Sequence, residues 1–186
     1  MQLYENKVDD ALRYLSRPDI LHPTGDKPIC YVTYDVEDVM IIYRQIDTMI
    51  VPKARYYDFE PVVVSLGKVI QDYIASSEYY TDLQDPSIEE GDLFDSLRNE
   101  LAENNVIANR LLEIQSELKA SKKNPLMIIK DLELLHPYAK IGPVEQIIYN
   151  QIEVPMLVLY PGNTQGTARQ FLNIYTMDGS YRSKNF

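Results

Sequence analysis

Two short apolar runs, Leu-Met-Ile-Ile at residues 126–129 and Met-Leu-Val-Leu at 156–159, stand out from the mixed background of this chain. Each is opened by a proline, Pro125 or Pro155, and closed by polar or turn-forming residues. Apolar runs of that length without polar alternation suit strands covered on both faces, as in the middle of a parallel sheet. Residues 139–153 between them leave room for the helical crossover that parallel neighbours require. The pattern therefore predicts a strand–helix–strand unit over 124–166. It places Asp131 at the mouth of one strand and Tyr160-Pro161-Gly162 at the mouth of the next. The carboxyl ends of strands in open α/β sheets are where ligands and partners dock.

The remaining elements follow the same logic. Leu3, Val8, Leu12 and Leu15 have helical spacing, and Pro18, Pro23, Gly25 and Pro28 then mark a loop. Residues 29–34, Ile-Cys-Tyr-Val-Thr-Tyr, are β-branched and aromatic and predict a first strand. Asp35 is placed to cap a following helix with Val39, Tyr43, Ile46 and Ile50 on one face, ending before Pro52. Residues 62–66 predict a second strand and 67–75 another helix. Leu93, Leu97 and Leu101 lead into Val106, Leu111 and Leu118 on a long helix or helical pair. The expected fold class is α/β, a mostly parallel sheet flanked by helices. The expectation is one domain over 1–186, with 78–120 a helical, acidic stretch and a candidate insertion.

Charge narrows the partners. The 186 residues carry a net charge of −10, which argues against direct nucleic-acid binding, since phosphate contacts want clustered Lys and Arg. Residues 78–103 hold nine carboxylates against Arg98 alone, either a solvated face or a docking surface for a basic partner. Beyond Gly162 the balance reverses, with Arg169, Arg182 and Lys184 against Asp178. If the tail folds back, Arg169 and Arg182 face the strand mouths as anion or partner contacts. A lone Cys30, acidic residues near the start and no apolar run of membrane-spanning length suggest a cytoplasmic protein without membrane contact.

The search for chemistry returns mostly exclusions. Gly67-Lys68 follows a strand but lacks the spacing of a phosphate loop, and Gly162–Gly166 lacks its lysine. Both glycine sites are better explained by the positive φ of turns. With one Cys and two His, His22 and His136, a structural zinc site has too few ligands. No serine lies in a nucleophile elbow. Asp131 and Glu133 follow a strand, the placement of acidic groups that hold magnesium in strand-mouth ATPases, and His136 lies close by in sequence. These three are the alternative active-site residues. Tyr56-Tyr57 and Tyr79-Tyr80 could stack on bases, but their surroundings are acidic.

The segment Val154-Pro-Met-Leu-Val-Leu-Tyr-Pro-Gly162, then Gly166, Phe171-Leu172 and the closing Tyr181-Arg182, resembles the C-terminal half of the BrxB family of BREX phage-defence systems. Tyr34-Asp35-Val36-Glu37-Asp38, Arg44 and residues 61–66 resemble its N-terminal half. Thr164-Gln165-Gly166-Thr167 departs from the acidic-glycine pair usual there. The resemblance implies a P-loop-type domain without Walker motifs and without a cofactor. It also implies a non-catalytic antiviral assembly protein acting with a PglZ-type partner. Tyr160, Pro161, Gly162, Gly166, Arg169, Tyr181 and Arg182 are then the candidate partner-binding residues. The alternative is a degenerate nucleotide-responsive regulator or hydrolase using Asp131, Glu133 and His136.

Overall fold

The computed structural model describes residues 2–22, 28–77, 81, 90–179 and 183–186. Strands β1 (Ile29–Tyr34), β2 (Glu60–Ser65), β3 (Pro125–Lys130) and β4 (Met156–Gln165) form a parallel sheet in the order β2-β3-β4-β1. The protein is α/β, a mostly parallel sheet flanked by helices.

Alternation along the strands divides the core. Cys30, Val32 and Tyr34 of β1, Leu126 and Ile128 of β3, and Leu157 and Leu159 of β4 face one side. There they meet helix α1 (Gln2–Leu15) and the helical stretch that follows β1. Ile29, Tyr31, Met127, Ile129, Met156, Val158 and Tyr160 face the other side. That side is covered by α4 (Leu66–Ser76), α6 (Val106–Ser121) and α7 (Ile141–Ile148). Both faces of the central strands are dry, which is why their sequence reads as unbroken apolar runs. Each fully buried aliphatic side chain there contributes about 1.5–3 kcal/mol.

The helix after β1 departs from expectation. Asp35 does cap the entry, its Oδ1 accepting from the Glu37 N–H. The chain then runs through α2 (Val39–Gln45), a wide turn at Ile46–Ile50 and α3 (Val51–Tyr56), passing Pro52 rather than stopping before it. In the wide turn the Val51 N–H reaches back five residues to the Ile46 carbonyl. Loosening the helix there accommodates a proline that has no N–H to give and whose ring would crowd the preceding turn.

The acidic stretch forms a helical pair, α5 (Glu90–Glu103) and α6, broken at Asn105, whose φ is 50°. Asparagine tolerates that left-handed conformation better than most residues. At Gly67 the expectation of a positive φ is not met. The residue lies inside α4, and a Cβ there would sit 2.4 Å from Leu134 Cδ1, so glycine serves close packing.

Tyr160-Pro161-Gly162 lies where the parallel pairing of β4 with β1 ends, but it is not a turn. All three are buried within β4, which continues to Gln165. Beyond Gly162 the strand pairs antiparallel with β5 (Ala168–Phe171) around Gly166, whose φ is 61°. β6 (Asp178–Gly179) adds to β5, and β7 (Lys184–Asn185) pairs parallel with β1 at the far edge of the sheet.

Gly162 has φ 140°, and a Cβ on it would fall 2.0 Å from the Gln170 carbonyl oxygen. Gly162→Ala should therefore cost about 3 kcal/mol or more from strain and backbone clash together. Gly166→Ala, with nothing within 4 Å of the added carbon, should cost only about 1 kcal/mol for its φ. Urea unfolding of the two variants checks the difference.

Candidate functional site

Three constellations could carry function; the sheet separates the first from the other two, which share the face covered by α7. The first lies at the carboxyl ends of β1 and β3, beneath α2. Asp131 follows β3 directly with φ 64°, in the left-handed region, and is buried. Lys130 Nζ lies 3.0 Å from Asp131 Oδ2 and 4.9 Å from the centre of the Tyr43 ring. The Tyr43 hydroxyl donates to Glu133 Oε1. The Tyr34 hydroxyl and Glu133 Oε2 are buried and have no hydrogen-bond partners among the described residues. Burial, then the nearby charges of Glu133 and Asp131, push the Tyr34 hydroxyl above the ordinary tyrosine value. Burial, then its hydrogen bonds to Glu133 and Asp131, do the same for Tyr43. The cluster thus holds two carboxylates, one lysine and two protonated phenols, an arrangement suited to keeping a charge pair out of water.

The second constellation surrounds Arg169 on β5. Its Nη2 lies 3.0 Å from Glu145 Oε2 on α7, with the two side chains 4% and 2% exposed. Nη1 donates to Ser183 Oγ at 2.8 Å and to Asn185 Oδ1 at 3.0 Å. Tyr31 donates to the same Glu145 oxygen at 2.8 Å, and its ring lies 3.6 Å beneath the guanidinium carbon. Burial, then the Glu145 charge, raise the Tyr31 hydroxyl well above its ordinary value. The charge is met by an anion, two neutral acceptors and a π face, so this is an internal latch.

The third is a cavity of about 590 Å³ on the opposite side of the sheet from Tyr43, between the α5–α6 pair and the segment leading into α7. His136 lines it, one ring nitrogen against the Tyr175 hydroxyl. His136 therefore belongs to this groove, whereas Glu133 is engaged with α2. The structure does not gather Asp131, Glu133 and His136 into one active site.

Of the sequence-predicted partner contacts, Tyr160, Pro161 and Gly162 are buried in β4. Arg169 is buried in the latch rather than solvated. Gly166 is exposed at the β4–β5 turn. Tyr181, Arg182 and the Tyr79-Tyr80 pair lie outside the described residues. Among the described residues no group of three or more His, Cys, Asp or Glu could hold a metal ion, and no helix is long and apolar enough to cross a membrane. No protein-family model, curated protein or solved structure matches the chain.

Sequence reasoning passed over Glu145, Tyr34, Tyr43 and Lys130. Glu145 was visible in principle. It shares the inward face of α7 with Val144 and Ile148, where a carboxylate without a buried partner would not be tolerated.

Two measurements follow. Arg169→Ala should cost about 3–5 kcal/mol in urea unfolding, because it strands the Glu145 charge, while Glu145→Leu with Arg169→Met should cost clearly less. The tyrosine environments set a pH dependence. Their folded values lie above the unfolded value, so their contribution is complete below about pH 10 and is lost as pH rises beyond it. Absorbance at 295 nm should show Tyr31, Tyr34 and Tyr43 ionising only as the protein unfolds. Tyr34→Phe should remove one of these late ionisations at little cost in stability, because its hydroxyl has no partner to lose.

Proposed function

We propose that this chain is a non-catalytic assembly component of a BREX-type anti-phage system, bound to a PglZ-type partner through the exposed acidic face of α5. The observation that carries the reading is a contrast in where the charges are spent. Asp131 and Arg169 are buried against groups of this chain, whereas Asp92, Asp95 and Glu103 recur at helical spacing on α5 and are exposed. The one arginine within α5, Arg98, lies 3.3 Å from Asp95 in an exposed pair that neutralises little of this face. A like-charged stripe of this kind steers a basic surface towards it and sets register.

The connections after the strands support a role other than nucleotide hydrolysis. β2 passes into α4 with no intervening loop, Ser65 Oγ accepting from the Lys68 N–H at 3.0 Å. β1 passes into its helix through the acidic turn Asp35-Val36-Glu37-Asp38. Neither connection has the glycine spacing of a phosphate-cradling loop. The alternative, a nucleotide-responsive regulator or hydrolase at the strand mouth, is favoured by one feature, the unpartnered Glu133 Oε2.

Co-expression with the PglZ-type protein separates the two. The triple variant Asp92→Lys, Asp95→Lys, Glu103→Lys should weaken the complex at least about tenfold and flatten its salt dependence, with the fold intact by circular dichroism. An unchanged complex would remove α5 as the docking face. Loss of a nucleotide-stimulated response in Asp131→Asn, with the complex unaffected, would favour the regulator instead.

A further inference from the structure

The groove between the α5–α6 pair and α7 lies beside the docking face just described and shares Arg98 with it, the arginine paired with Asp95. Its floor is apolar: Leu101, Ile107 and Ala108 from the helical pair, and Val144 from α7, are buried, and Ile147 is partly exposed at its rim. About 590 Å³ is the size of pocket that encloses a small organic molecule. Its few polar groups are not of the sign expected from the chain. In a protein of net charge −10, both formally charged side chains lining this cavity are cations, Arg98 and Lys140. Lys140 Nζ has no carboxylate partner among the described residues; it rests 4.8 Å from the centre of the Tyr175 ring. His136 adds a second ring nitrogen that has no partner among the described residues, the first being taken by Tyr175.

We propose that this groove binds a small amphipathic monoanion, with an alkyl or aromatic body on the apolar floor and a carboxylate or sulfonate head between Lys140 and Arg98. Enclosure of the body supplies the affinity, and the two rim cations select the head. His136 and Tyr175 lie on the same rim, where their polar atoms can add hydrogen bonds to the head group. A neutral ligand of the same shape would retain the first contribution and lose the second.

The probes are 8-anilinonaphthalene-1-sulfonate, whose fluorescence reports binding, dodecanoate as its competitor, and the neutral dye N-phenyl-1-naphthylamine. The full chain should bind the sulfonate dye saturably at one site, and dodecanoate should displace it. Lys140→Glu with Arg98→Glu, both exposed positions, should weaken the two anions about tenfold or more while changing the neutral dye less than about twofold. Ile147→Glu should weaken all three. Thermal melts of each variant confirm folding. Absence of saturable binding to the native chain would overturn the proposal. So would equal loss of neutral and anionic dyes in the double variant, or anion binding unchanged in it. Asp92, Asp95 and Glu103 do not line the groove, but Arg98 pairs with Asp95, so Lys140→Glu alone, which leaves the α5 face unchanged, keeps this test separate from the α5 charge reversal.

Discussion

A guanidinium moved out of water must be given a counter-charge and hydrogen-bond acceptors in the place where it is buried, at a cost of several kcal/mol otherwise. Arg169 imposes that requirement on four parts of this chain at once. β5 carries the cation, α7 the carboxylate, β1 the aromatic face and the hydroxyl donor to Glu145, and the segment around β7 two neutral acceptors. None of these contacts is local in sequence. The latch is complete only when the parallel sheet, its crossover helix and the returning C-terminal segment are all in position. An apolar cluster of the same volume could hold the elements together, but would tolerate many arrangements; a buried pair with directional bonds tolerates few.

A second buried polar side chain acts in the same manner. Gln115 on α6 donates to the Gln151 carbonyl at 2.7 Å and accepts from the N–H groups of Glu153 and Val154. It fastens the loop that enters β4 to the helical pair, satisfying backbone groups that would otherwise be buried without partners. The crossover between β3 and β4 is therefore pinned at two points, Gln115 near its end and Glu145 along its helix. This positions the segment that walls the apolar groove.

Much of the sheet was legible because burial on both faces leaves an unambiguous signature. Residues 126–129 and 156–159 read as interior strands, and Asp35 as a cap, for reasons that are local. What escaped was decided by tertiary context. Tyr-Pro-Gly has turn chemistry, yet at 160–162 it continues a strand, since Pro161 closes the register opposite Tyr34 and Gly162 allows β5 to approach. Pro52 has stop chemistry, yet the helix widens to pass it. The strand-mouth position of Asp131 was readable from β3; the approach of Tyr43 from α2 was not, because cross-element pairing has no periodicity. The groove was equally silent, since its floor residues are the same apolar positions that a filled core would use.

The returning strand β7 has a consequence for how the sheet ends. Outside it, β1 would present its backbone groups along residues 30–33, flanked by buried Cys, Tyr and Val side chains. The Phe186 N–H and carbonyl instead bond Tyr31 and Thr33, and its ring packs 6.0 Å from that of Tyr14. An uncovered apolar edge is a template on which a second chain can add a strand. Residues 184–186 thus cover the backbone edge of β1 that a second strand would otherwise meet.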